Sequence, residues 1–153
     1  MAFTIEIDAS DIEEGARQLA ASLPRELVEA ADRAGDIVEA AARGEAPRRT
    51  GALAGSIVSS GGMQRPDGAE VHVDAGAAYA LPVHDGSRPH TIRPFHARVL
   101  AFRVGGMQRF ARSVNHPGNA PDPFMDQALE AKAREVEEAF GAGLERAIAA
   151  AGF

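Results

Sequence analysis

Between residues 27 and 41 the apolar side chains recur at spacings of four, three, four and three: Leu27, Ala31, Ala34, Val38 and Ala41. That rhythm places them on one face of an α-helix ending near Gly44. A face so rich in alanine suits a core seam, and its small side chains also permit close approach of a neighbouring subunit. Upstream, "SDIE" makes Ser10 a helix cap with Glu13 reaching back to it, and that helix runs to about Leu23. Pro24 then restarts or kinks it. A second stripe closes the chain: Met125, Leu129, Val136, Phe140, Leu144 and Ile148 share one helical face, leaving Glu130, Lys132, Arg134 and Glu137 for solvent. Asp122 is the expected N-cap of that helix and Pro123 its first residue.

Between the helices the period changes. "SIVSS" (56–60), "AEVHVDA" (69–75), "AYALPVH" (78–84), "RVLAFRV" (98–104) and "RFARSVNH" (109–116) are short alternating runs separated by Gly, Pro and Asp. Phe3, Ile5 and Ile7 add a strand at the start. "GGMQ" and "RPDG" have hairpin-turn chemistry. The expected fold is α+β: an antiparallel sheet of about four to five strands, with an N-terminal helical segment and a long C-terminal helix packed on it. Residues 1–153 read as a single domain with no internal repeat.

Composition narrows the function classes. The chain has 153 residues and no cysteine, which excludes disulfides, thiolate metal sites and thiol catalysis. No apolar run approaches the ~20 residues of a membrane span, and "MAFTIEIDAS" lacks a signal peptide's basic start and apolar core. Folding in a cytoplasm, without membrane contact, is the expectation. Lys132 is the single lysine, so arginine richness reads first as coding bias. Charge is uneven: residues 1–45 carry 4 Arg against 11 acids, 46–119 carry 9 Arg against 4, and 120–153 carry 3 basic residues against 7 acids. All five histidines fall in the basic middle.

Candidate chemistry is thin. His84, His90 and His96 stand six apart beside Asp85, a conceivable zinc set, but that spacing fits no regular element. A small histidine-dependent metal hydrolase or nuclease is the rival from another class, predicting bound zinc or manganese and lost activity in His90→Ala. Ser87 near His90 lacks a nucleophile elbow, and His84 with Asp85 is an ordinary polar dipeptide. "GALAGS" (51–56) lacks a phosphate loop's lysine. Arg48 and Arg49 follow a helix without aromatic interleaving, which argues against a nucleic-acid module. The expectation is therefore no enzyme, no cofactor and no metal.

Several phrases, in this order, resemble the small neck proteins of long-tailed bacteriophages, also called tail-completion or head–tail joining proteins. They are "APRRTGALAGSI" (46–57), "YALPVHDGS" (79–87), "PHTIRP" (89–94), "VLAF" (99–102) and "VNHPGNAPDPFMDQAL" (114–129). The likeness covers about residues 25–150, and the "HPG…P.PF…A" phrase is its most specific part. The family usually has an acidic residue and a Gly-Thr pair where this chain has "HDGS" (84–87). The resemblance implies an α+β virion protein without catalysis, forming a six-fold ring at the head–tail junction. Its partners would be copies of itself, the phage neck or connector, and tail-tube or tail-terminator proteins. Genomic DNA would pass through the lumen only as cargo. Tail terminator and head-closure stopper are neighbouring roles.

The expected assembly motif is Thr50, Gly51, Leu53, Tyr79, Gly86, His90, Pro94, His116, Pro117, Gly118, Pro121, Pro123 and Phe124. Arg48, Arg49, Arg88 and Arg93 are expected subunit or neck contacts, and the acidic stretches are expected to line the lumen. In "SVNHPGNAPDPFMDQAL" (113–129), helix capping accounts for Asp122 and Pro123 but not for His116, Pro117 and Gly118. Those three read as a rigid corner between the last strand and the last helix, with Phe124 as core anchor.

Overall fold

The structure is a computed structural model that describes residues 9–152; the strand expected at Phe3, Ile5 and Ile7 lies outside them. The chain forms two compact units, residues 1–77 with 124–153, and residues 78–123. Helices and short antiparallel strands make it α+β, as expected. The strands are three to five residues long and form four separate two-stranded pairs among the described residues, where one sheet of four to five strands was expected. Gly or Pro borders most of these runs and ends their ladders early.

In the first unit, helix α1 (Ser10–Glu45) is continuous with Pro24 inside it, which overturns a restart at Pro24. Proline costs one backbone bond and crowds the preceding turn. Directly after it, Glu26, Ala30, Ala31, Ala34 and Gly35 are buried, and that packing holds the helix together. Ser10 is already helical and Ala9 holds the cap position, with Glu13 N–H donating to the Ala9 carbonyl at 3.0 Å. Asp11 and Glu13 in the first turn complement the positive end of the helix.

Helix α4 (Phe124–Ala150) runs antiparallel to α1: Arg146 meets Glu26, Gly143 meets Ala30, and Lys132 with Glu135 lies beside residues 36–41. The buried seam consists of small residues, Ala30, Ala31, Ala34 and Ala42 on α1 and Ala128, Gly143 and Ala147 on α4. A Cβ at Gly143 would stand 3.0 Å from the Ala30 Cβ and 3.1 Å from the Glu26 carbonyl oxygen. The expected α4 stripe is therefore displaced from the core. Leu129 and Leu144 are 52% and 45% exposed, and the buried residues of α4 are Phe124 at its start and the small Ala128, Gly143 and Ala147. Within the seam, Glu26 accepts from Arg146 Nε at 2.9 Å and Arg25 Nη2 at 3.0 Å. These guanidinium bonds, Arg146 first, hold its carboxyl below the ordinary carboxylate range.

Residues after α1 turn through Arg48 and Arg49 into the short helix α2 (Ala52–Gly55). Strand β1 (Ile57–Ser59) pairs with β4 (Val73–Ala75), Ile57 opposite Ala75, while β2 (Met63–Arg65) and β3 (Gly68–Glu70) form the hairpin expected at "RPDG". Polar side chains of α1 reach these strands: Arg43 donates twice to the Ile57 carbonyl, at 3.0 and 2.8 Å, and Glu39 accepts from Ser59 N–H at 2.5 Å.

In the second unit, "AYALPVH" forms helix α3 (Ala80–His84) and not the predicted strand. Pro82 sits in its first turn, where no backbone N–H is needed, whereas in a ladder it would remove a donor. Strand β5 (His90–Ile92) pairs with β8 (Val114–His116), and β6 (Leu100–Val104) with β7 (Met107–Ala111). The turn between β6 and β7 is Gly105–Gly106, with φ of +58° and +81°, the two-residue hairpin geometry that glycine allows without strain.

Candidate functional site: a locked corner and an exposed arm

Two segments that the sequence marks as rigid and small-residue rich, 84–90 and 116–122, meet in the second unit. Ser87 and Asn119 exchange backbone hydrogen bonds, both 3.0 Å, and Ser87 Oγ accepts from Asn119 N–H as well, at 3.1 Å. Asp122 N–H donates to the carbonyls of Val83 (3.1 Å) and His84 (3.0 Å), so the end of α3 is bound to the end of the unit. Gly86 and Gly118 have φ of +78° and +87°. A Cβ on Gly118 would lie 2.1 Å from the Ser87 carbonyl oxygen, and one on Gly86 2.8 Å from that of Asn119. Neither position tolerates a side chain. Pro117, Pro121 and Pro123 stiffen the chain between these contacts.

His90 and His116 oppose each other across the β5–β8 pair, with ring centroids 5.1 Å apart. His116 Nδ1 accepts from Gly118 N–H at 3.0 Å, and His90 Nδ1 lies 2.9 Å from the Arg88 carbonyl, to which it donates. The two imidazoles thus act through opposite roles of the same nitrogen, which sets opposite neutral tautomers. Thr91 Oγ1 donates to Asn115 Oδ1 across the same pair at 2.9 Å.

The predicted metal histidines do not converge: His84 bonds Asp85 at 2.7 Å, His90 faces His116, and His96 packs edge-on to Phe95. Among the described residues no three His, Asp or Glu side chains are grouped as metal ligands. Ser87, the candidate nucleophile, uses its oxygen as an acceptor at the corner.

Other predicted residues lie apart from the corner. Thr50 and Gly51 start α2, where Thr50 Oγ1 accepts from Ala52 N–H at 3.4 Å, and Leu53 is buried in the first unit. Arg48 and Arg49 are exposed there. In the second unit, Tyr79 precedes α3 and is 47% exposed, Arg88 and Arg93 are exposed, and Pro94 is half-buried. Phe124 is buried, as expected of an anchor, and opens α4 in the first unit.

The runs expected as strands at 98–104 and 109–116 supply a β6–β7 arm, residues 98–112, whose exposure no local pattern announced. Val104 and Met107 pair directly beside the turn and are 56% and 59% exposed; Phe110 is 65% exposed. Arg98, Arg103, Arg109 and Arg112 are exposed along the same arm. No Asp or Glu occurs between residues 86 and 121. That acid-free stretch was readable in the sequence. Comparison of this chain with family models, with curated proteins and with solved structures returns no match.

Proposed function

We propose that this chain is a structural virion protein of a tailed phage, assembling with copies of itself into a ring at the head–tail junction that joins neck to tail tube and lets DNA pass. The observation that carries this reading is the second unit: within residues 78–123 only Ala80 is buried, while Leu81, Phe95, Met107 and Phe110 are each more than half exposed. Apolar surface of that kind on a small β unit is covered by another protein surface in the working state. The locked corner supports the same reading, because it holds parts of two of the ordered phrases, in 79–87 and 114–129, in one rigid backbone arrangement.

Six copies follow from the resemblance. The wall of a DNA conduit works by repelling phosphate, so the acidic helices face the lumen and the arginine-bearing unit faces protein neighbours. The test is electron microscopy of particles made without this gene. Free filled heads and free tails are expected, restored to whole particles by supplying the protein; intact particles in its absence overturn the proposal.

A further inference from the structure

We propose that the β6–β7 arm of one copy docks into the α1–α4 cleft of a second copy. This deepens the ring reading and rests on its claim of self-association. The cleft lies in the first unit, with a volume of 290 Å³, and its lining includes Val38, Val73, Leu129, Val136 and Phe140. It is where the α4 stripe went when the alanine seam took the core: a helical face patterned for burial opens onto this cleft. Asp126 also lines it; Asp36 and Glu135 line a separate depression of the same unit that Lys132 shares, and Lys132 Nζ donates to Glu135 Oε1 at 2.5 Å.

The arm has the complementary character. Its tip pairs two half-exposed apolar side chains, Val104 and Met107; Arg103 lies one pair behind them, opposite Gln108, and Arg109 two pairs behind, opposite Phe102. The second unit carries six arginines against Asp85 and Asp122, a formal +4, while the rest of the chain carries ten basic residues against twenty acids, −10. An apolar tip on a basic arm fits an apolar cleft in the acidic unit, and charge complementarity between the units selects that pairing over arm-to-arm or cleft-to-cleft contact. Arm and cleft are different patches, so the contact is heterologous and propagates from copy to copy until it closes. Aliphatic residues at the tip favour a protein cleft over nucleic acid, whose bases would select aromatic stacking.

Light scattering after size exclusion tests this on the full-length protein. Wild type is expected to run as a multimer. Arg103→Glu with Arg109→Glu in the arm, and Leu129→Arg in the cleft, should each yield a monomer with wild-type circular dichroism. Mixed in equal amounts, the two variants should form a dimer and stop there, since one intact arm meets one intact cleft. The chain's lack of cysteine allows a second readout: Met107→Cys mixed with Leu129→Cys should give a disulfide-linked dimer that neither forms alone. Variants that assemble like wild type, or a mixture that stays monomeric, overturn the arm-and-cleft contact and leave the ring reading standing. A wild-type monomer overturns the contact, and a monomer that persists with neck or tail proteins overturns the ring reading also. If the arm variant loses affinity for duplex DNA while its oligomeric state is unchanged, the arm is a nucleic-acid element and the proposal fails.

Discussion

Gly118 shows how much one residue decides. Its left-handed φ and the 2.1 Å gap to the Ser87 carbonyl leave no room for a Cβ. Gly118→Val combines a strained backbone with a steric clash, and should destabilise the second unit by about 3 kcal/mol or more. The check is hydrogen exchange at Ser87 and Asn119, whose mutual bonds should lose protection, with particle joining impaired in parallel. Glu26 makes the opposite kind of contribution. Its folded carboxyl titrates below the ordinary value of 4.5 because Arg146 and Arg25 hold the charged form. A depressed carboxylate stabilises the fold above its unfolded pKa, and that share is lost as pH falls below about 4.5 through the lower folded value. Thermal unfolding between pH 6 and pH 3 should therefore fall more steeply for wild type than for Glu26→Gln. Equal slopes would mean that the pair does not tune the carboxyl.

Helix α4 illustrates what happens at the scale of an element. Periodicity located the helix and its apolar face, yet the face that packs on α1 is the alanine and glycine row. The reason is distance: helices carrying Gly143 against Ala30 approach too closely for leucine between them. Gly143→Leu should then cost about 1–3 kcal/mol in urea unfolding through overpacking, although leucine is the better helix former. A stability gain would show that the seam is looser than these contacts require. The pentapeptide Gly-Gly-Met-Gln-Arg makes a related point. It occurs at 61–65 and again at 105–109, a repeat too short to signal a domain. At 105–106 the glycines form a tight turn; at 61–62 they link β1 to β2, and Gly62 N–H donates to Asp32 of α1 at 3.2 Å. Local sequence is identical, so the surrounding fold decides.

Charge organises the whole molecule. A basic β unit and an acidic helical unit in one chain would make the proposed association between copies electrostatically selective. Multimerisation should weaken as salt rises, because contacts between exposed charges are screened beyond a Debye length of about 8 Å at physiological ionic strength. Sedimentation at low and high salt checks this; a distribution indifferent to salt would assign assembly to apolar contact alone.

Legible in the sequence alone were the α+β class, an N-terminal helical segment, the long C-terminal helix, the "RPDG" hairpin and the buried Phe124, because each depends on periodicity or on turn chemistry that acts over a few residues. The convergence of "HDGS" with "HPGNAPD" was foreshadowed only as an unexplained excess of rigid residues. Tertiary structure decided the rest. It kept α1 continuous through Pro24, turned "AYALPVH" into a helix, split the sheet into pairs, and exchanged large for small residues in the α1–α4 seam. In each case the deciding quantity was how closely distant segments approach, and that is set by packing between segments, which no local pattern records.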